Sequence, residues 1–149
     1  MILYHWVLRA TLLSYKFLFR PRLKRVRCLI LHQEKVLLVR HVGGGNEWSL
    51  PGGGAKSGES VFDTARREVA EELGIELTHF DSLGAVEIRH EFATLDAEIV
   101  RAHAGRYNFT PDLREIREAG WFDVNQFPGD ISPLLEWAVQ AHKNELAKA

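Results

Sequence analysis

A single cysteine, Cys28, is the whole cysteine content of the 149 residues, so an intrachain disulfide is excluded and nothing in the chain demands an oxidising compartment. Within "VRCLIL" Cys28 is expected to be a buried strand residue. The sequence also lacks an apolar run long enough to span a bilayer: "MILYHWVLRATLLSYKFLFRP" is broken by Arg9 and Lys16. No small-residue cleavage site follows it, which argues against a secretory leader. These absences lead us to expect a soluble, cytoplasmic protein. An excess of positive charge is missing too, since the net charge is -1. That figure conceals an asymmetry, because residues 1–33 hold seven Lys and Arg and no acid, whereas the remaining 116 carry 12 basic against 20 acidic side chains. An acidic body excludes a general DNA-binding surface, disfavours RNA and suits bound cations. Internal repeats, low-complexity tracts and interdomain linkers are absent as well, and the length fits one domain.

Of what is there, the N-terminal segment comes first. On a helix, His5, Arg9, Lys16 and Arg20 form one narrow stripe, and apolar side chains from Leu3 to Leu18 cover most of the rest. Pro21 stops it. Such a helix packs on its own domain, makes a homodimer contact, or lies in a membrane interface with its basic stripe toward headgroups, which would make the protein peripheral to a membrane. From Arg25 the pattern becomes that of strands: "VRCLILHQEKVLLVRHV" predicts two, with a tight turn near Gln33 and Glu34. Loops follow at "GGGNEW" and "SLPGGGAKSGES". A helix is predicted from a Ser60 cap to about Leu73, with Gly74 as its C′ residue. Strands are predicted within "DSLGAVEIRHEF", "AEIVRAHA" and "AGWFDV", with "GRYNFTPDLREIRE" as a polar excursion, and a closing helix begins at Pro133.

The helix after Ser60 poses the chemical question. Phe62, Ala65, Val69 and Leu73 recur at helical spacing and form an apolar stripe for docking on a sheet. Glu68, Glu71 and Glu72 stand at i, i+3 and i+4 beside that stripe, where each like-charge pair costs a few tenths of a kcal/mol, and more as water is excluded. A divalent cation removes the conflict. Hard oxygen ligands suit Mg²⁺ or Mn²⁺. Glu59 adds a fourth carboxylate, and Gly52, Gly53 and Gly54 allow backbone to approach a metal or phosphate closely.

The spacing of these residues is specific. Gly53, five residues, Glu59, seven residues, then Arg67-Glu68-Val69-Ala70-Glu71-Glu72-Leu73-Gly74-Ile75 resembles the complete signature box of the Nudix hydrolase family, and "WSLPGG" resembles its usual lead-in. The resemblance implies an α/β fold, an α/β/α sandwich with a mixed β-sheet, here over residues 22–149 and preceded by the extra amphipathic helix 1–21. It also implies an enzyme that hydrolyses the diphosphate linkage of a nucleoside diphosphate derivative, such as a nucleoside triphosphate, a nucleotide sugar or ADP-ribose, with Mg²⁺ or Mn²⁺. By position Glu71 and Glu72 match the main metal ligands, Glu68 matches a ligand that also assists as base, and Arg67 matches the residue that orients the glutamates. Glu59 matches the salt-bridge partner of the loop–helix unit, and the carbonyl of Gly53, or of Gly52, completes the coordination.

Outside the box, Glu115 in "LREIREAGW" is the first choice for an additional catalytic carboxylate and Glu118 the second. Arg27, Arg40 and His41 are candidates for the phosphate side. His90 and Glu91 lie on a predicted strand, and Trp48, Phe92 and Trp121 are expected in the core or at its rim. Three other readings remain at this point: removal of pyrophosphate from RNA 5′ ends, a non-catalytic nucleotide sensor, and a membrane-surface protein using its N-terminal helix. The proline and tyrosine that mark some substrate subfamilies do not occur in residues 76–105, so the substrate is left open.

Overall fold

Alternation along one long strand organises the molecule. In β1 (Arg22–His32), Val26, Cys28 and Ile30 point to one face while Leu29 and Leu31 point to the other, and all five are buried. A strand buried on both sides requires cover on both sides. The computed structural model, which describes residues 22–89 and 93–149, supplies it with two helices. Helix α1 (Val61–Leu73) packs Ala65, Val69 and Leu73 against the first face. Helix α2 (Pro133–Lys148) packs Leu134, Leu135, Ala138 and Val139 against the second. Removing a buried leucine side chain such as that of Leu73 costs about 2–5 kcal/mol at sites of this kind.

The remaining strands are β2 (Lys35–His41), β3 (Gly52–Gly53), β4 (Asp81–Arg89), β5 (Thr94–His103) and β6 (Ile116–Asp123). They form one six-stranded sheet in the order β4-β5-β1-β2-β6, with β3 also on β1. The sheet is mixed, because β1 runs parallel to β5 from Arg22 to Leu31 and the other pairings are antiparallel. The expected α/β/α sandwich is the fold observed. β1 turns into β2 at Gln33 and Glu34, where Gln33 takes a left-handed φ of 54°. Cys28 is fully buried, and burial pushes its thiol pKa up.

Several expectations need correction. Phe62 is 41% exposed and stacks on Phe80 at 6.0 Å between ring centroids, whereas Thr64 and Glu72 take buried positions on α1. The buried face is therefore rotated from the stripe read in sequence, toward the glycine loop that α1 covers. That loop, expected to be irregular throughout, contributes β3, whose glycines pair with Val26 and Arg27. β6 begins at Ile116, inside the expected polar excursion. The predicted helix 1–21, and with it the proposed homodimer or membrane contact, lies outside the described residues, as do His90, Glu91 and Phe92. Among the described residues no helix is long and apolar enough to cross a membrane.

Candidate active site

Local chemistry fixes the frame. Ser60 caps α1 by accepting the Asp63 N–H, and Gly74 ends it at φ 63°, a left-handed conformation that glycine adopts without strain. Between those ends, α1 carries its acidic residues toward β3. Gly53 faces Glu68 so closely that a Cβ on Gly53 would lie 2.5 Å from the Glu68 carboxyl carbon. At Gly52, φ is 136° and an added Cβ would meet the Val26 carbonyl oxygen at 2.1 Å. Gly52 is required by the backbone, whereas at Gly53 an added Cβ would displace the Glu68 carboxylate.

Arg67 is the hub of the loop–helix unit. Its Nε and Nη2 donate to the two oxygens of Glu59 at 2.6 and 2.8 Å, Nη2 also donates to the Gly54 carbonyl at 3.0 Å, and Nη1 donates to Glu68 at 2.8 Å and Glu71 at 3.2 Å. The planar guanidinium makes all of these contacts at once, which the point charge of a lysine cannot do. Glu59 also receives the Lys56 N–H at 2.8 Å. The Arg67 hydrogen bond, followed by that N–H, holds the Glu59 carboxyl at a pKa of about 2, and Glu59 in turn raises the Arg67 pKa.

Three carboxylates converge beside this unit. Oxygens of Glu68, Glu72 and Glu115 all lie within 4.8 Å of one another. Glu72 is 2% exposed, and its oxygens accept from the Gly52 N–H at 2.9 Å and bond His41 Nε2 at 3.1 Å. Glu115 arrives from a loop anchored on the C-terminal end of α1, where the Asp112 N–H donates to the Glu72 carbonyl at 2.8 Å and the Thr110 N–H to that of Leu73 at 2.8 Å. Arg114 holds the Asp112 side chain at a pKa of about 2 and so braces that loop. The carboxylates fit a hard divalent cation: they are oxygen donors, one of them is buried, and their close approach is unfavourable without a positive charge between them. Glu71 is not one of the three. Its side chain is 49% exposed and pairs with Arg67. Repulsion along α1 is thus already relieved in part by Arg67 and by the Gly52 N–H.

The remaining sequence candidates separate. Arg27 donates to the Gly52 carbonyl at 2.8 Å and lines a cleft of about 290 Å³ together with His41, Gly44, Glu47, Ser49 and Leu50. Burial lowers its pKa while Glu72 opposes that shift, and a guanidinium stays charged throughout the ordinary pH range. His41 lies between this cleft and the three carboxylates. Arg40, in contrast, faces neither: it pairs with its cross-strand neighbour Glu118 at 2.8 Å and lies 4.4 Å over the Trp48 ring. A register shift between Arg40 and His41 separates the two directions. The same pairing keeps Glu118 out of the carboxylate group. Trp48 is a core residue as expected, and Trp121 is partly buried, donating its indole N–H to the Tyr107 carbonyl at 2.8 Å. A larger cleft, about 560 Å³, opens beside Arg22, Lys24, Asp96 and Glu98; it reaches Glu59 but none of the three clustered carboxylates. The sequence reading passed over Ser49, which bonds His41 Nδ1 at 3.3 Å; its place in "WSLPGG" was the available signal.

Comparison with known proteins identifies the family and the fold. The family model described as NUDIX domain matches residues 21–146. An NAD-capped RNA hydrolase of Caenorhabditis elegans is 36% identical over 109 residues, which cover 68% of this chain but only 28% of that protein. An oxidized purine nucleoside triphosphate hydrolase of Mus musculus is 32% identical over 111 residues, covering 70% of this chain and 69% of that one. Among solved structures, a MutT NUDIX hydrolase from Burkholderia pseudomallei superposes with a TM-score of 0.75 at 23% identity, over 82% of this chain and 98% of that one, a likeness of fold.

Proposed function

The chain belongs to the Nudix hydrolase family, and from that premise we propose that it cleaves the diphosphate linkage of a nucleoside diphosphate derivative at the site formed by Glu68, Glu72 and Glu115. The observation that carries the proposal is the convergence of those three carboxylates within 4.8 Å, next to a cleft lined by the cation Arg27. Diphosphate chemistry needs a cationic environment for phosphoryl oxygens, a nucleophilic water and an acceptor for its proton.

Each need has a residue. Glu68 and Glu72 would hold Mg²⁺ or Mn²⁺, with Glu71 and the Gly53 carbonyl as further donors on the same loop–helix unit. When bound, the ion supplies charge neutralisation and an activated water. Glu115 is the solvent-facing carboxylate of the three, so its oxygen is placed to accept the proton of the attacking water. Arg67 and Glu59 are positioning residues that hold Glu68 and the loop. The 290 Å³ cleft takes the nucleoside part, with Arg27 on its phosphate side.

The test is product release from nucleoside triphosphates, oxidized purine nucleoside triphosphates, nucleotide sugars, ADP-ribose and dinucleoside polyphosphates, with Mg²⁺ or Mn²⁺ and with chelator. Metal-dependent cleavage of one class is expected, and silence across the panel from folded protein would sink the small-molecule assignment. The worm relative favours a second reading, in which the diphosphate belongs to a capped RNA 5′ end. NAD-capped and 5′-triphosphate RNA in the same panel separate the two, since an RNA enzyme cleaves the oligonucleotide far faster than the free nucleotide.

A further inference from the structure

A buried carboxylate is only as well placed as its hydrogen bonds make it. Glu72 is 2% exposed and sits between two donors from separate parts of the chain. Gly52 N–H reaches one oxygen at 2.9 Å, and His41 Nε2 lies 3.1 Å from the other. Because the carboxylate only accepts, Nε2 carries the proton in this contact. The other ring nitrogen is engaged as well, with Ser49 Oγ 3.3 Å from Nδ1 and the same hydroxyl 3.3 Å from the Val39 carbonyl. A strand and a loop therefore fix the imidazole: β2 carries it, and the loop leading into β3 supplies Ser49. One carboxylate oxygen of Glu72 lies within 4.8 Å of oxygens of Glu68 and Glu115.

We infer that His41 is a positioning residue whose Nε2–H holds Glu72 in its ion-binding orientation through a Ser49–His41–Glu72 chain, rather than a ligand of the substrate phosphates. The inference rests on the hydrolase reading above and assigns to His41 the role that carboxylate-orienting partners play at metal sites, where their loss lowers metal affinity about 10–100-fold. His41 is suited to it because it lies where the 290 Å³ cleft meets the carboxylates and both of its ring nitrogens are bonded. Arg40, one residue earlier, is held away by Glu118 and Trp48.

The experiment is direct titration of the full chain with Mn²⁺ in the absence of nucleotide, followed by electron paramagnetic resonance, for wild type, His41→Phe, His41→Gln and Ser49→Ala. Thermal melts establish that each variant is folded. We expect His41→Phe, which keeps ring volume but loses the donor, to bind Mn²⁺ about 10–100-fold more weakly. His41→Gln, whose amide retains a donor, is expected to recover most of that loss, and Ser49→Ala to weaken binding less than His41→Phe. Wild-type Mn²⁺ affinity in His41→Phe combined with a raised nucleotide KM would overturn the inference alone and make His41 a phosphate ligand. His41→Gln as weak as His41→Phe would overturn it too, since the donor would then be irrelevant. No Mn²⁺ binding by wild type would instead overturn the hydrolase reading, and this role with it.

Discussion

Replacing Gly53 by alanine separates the two jobs that glycines do in the loop before α1. The added Cβ at Gly53 would lie 2.5 Å from the Glu68 carboxyl carbon and 2.6 Å from each of its oxygens. Ordinary carbon contacts lie at about 3.5 Å, so the carboxylate must retreat by about 1 Å. Gly53 is not among the residues at positive φ, so alanine is tolerated by the backbone itself. The retreating group is the end of a flexible side chain, and the stability cost is the weakened Arg67–Glu68 hydrogen bond, about 1.5–3 kcal/mol at most for a charged pair. Function is less forgiving, since misplacing a reacting or metal-holding group by about 1 Å costs on the order of 10²-fold. At Gly52 the added Cβ meets backbone, the Val26 oxygen at 2.1 Å, at a φ of 136°. Neither can yield without breaking the β1–β3 pairing, so Gly52→Ala is expected to unfold at a markedly lower temperature than Gly53→Ala. Thermal melts and kcat/KM on both variants form the assay. Gly53→Ala with wild-type turnover, or as unstable as Gly52→Ala, would refute the reasoning.

Three further outcomes can be measured. Glu59 is held at a pKa of about 2, below its unfolded value of about 4.3, so its contribution to stability is complete above that unfolded value and is lost as pH falls toward 2. The melting temperature of wild type is therefore expected to fall more steeply between pH 5 and pH 2 than that of Glu59→Gln, and parallel curves would contradict the assignment. Arg67→Lys keeps the charge but cannot span Glu59, Gly54, Glu68 and Glu71 together, and a loss of about 2 kcal/mol in urea unfolding is expected, with a larger relative loss in kcat. For residues 1–21 we propose a membrane-surface contact; the double variant Arg9→Glu, Lys16→Glu of the full chain is expected to abolish co-sedimentation with anionic vesicles, and wild type remaining in the supernatant would remove the proposal.

What the sequence made legible was local. Ser60 and Gly74 bound α1 because capping depends on residues within one turn, and the hairpin at Gln33 and Glu34 is likewise a short-range event. The acidic motif was legible because its spacing lies within one loop and one helix. Glu115 was reachable through its position before the β6 strand, and the structure brings it to Glu68 and Glu72. What was not legible depends on partners far along the chain. β3 is a pair of glycines with little intrinsic strand preference, and it exists because Val26 and Arg27 pair with it. Glu72 looked like a rim residue until the Gly52 N–H and His41 gave it partners. Phe62 looked like core by periodicity, yet the rotation that brings Thr64 and Glu72 inward turns it out onto Phe80. Arg40 and His41 are adjacent in sequence and have opposite fates, because Glu118 and Trp48 capture the first and Glu72 and Ser49 the second.

The central claim is that the convergent carboxylates carry out diphosphate hydrolysis, and it is tested most directly by turnover of wild type and Glu72→Gln side by side. Both would be assayed at saturating Mg²⁺ on the substrate that the panel identifies, with circular dichroism to establish folding. Glu72→Gln is expected to fold and to lose about 10²-fold or more in kcat, because a carboxylate essential to water activation has lost its charge. Turnover equal to wild type in that variant would contradict it.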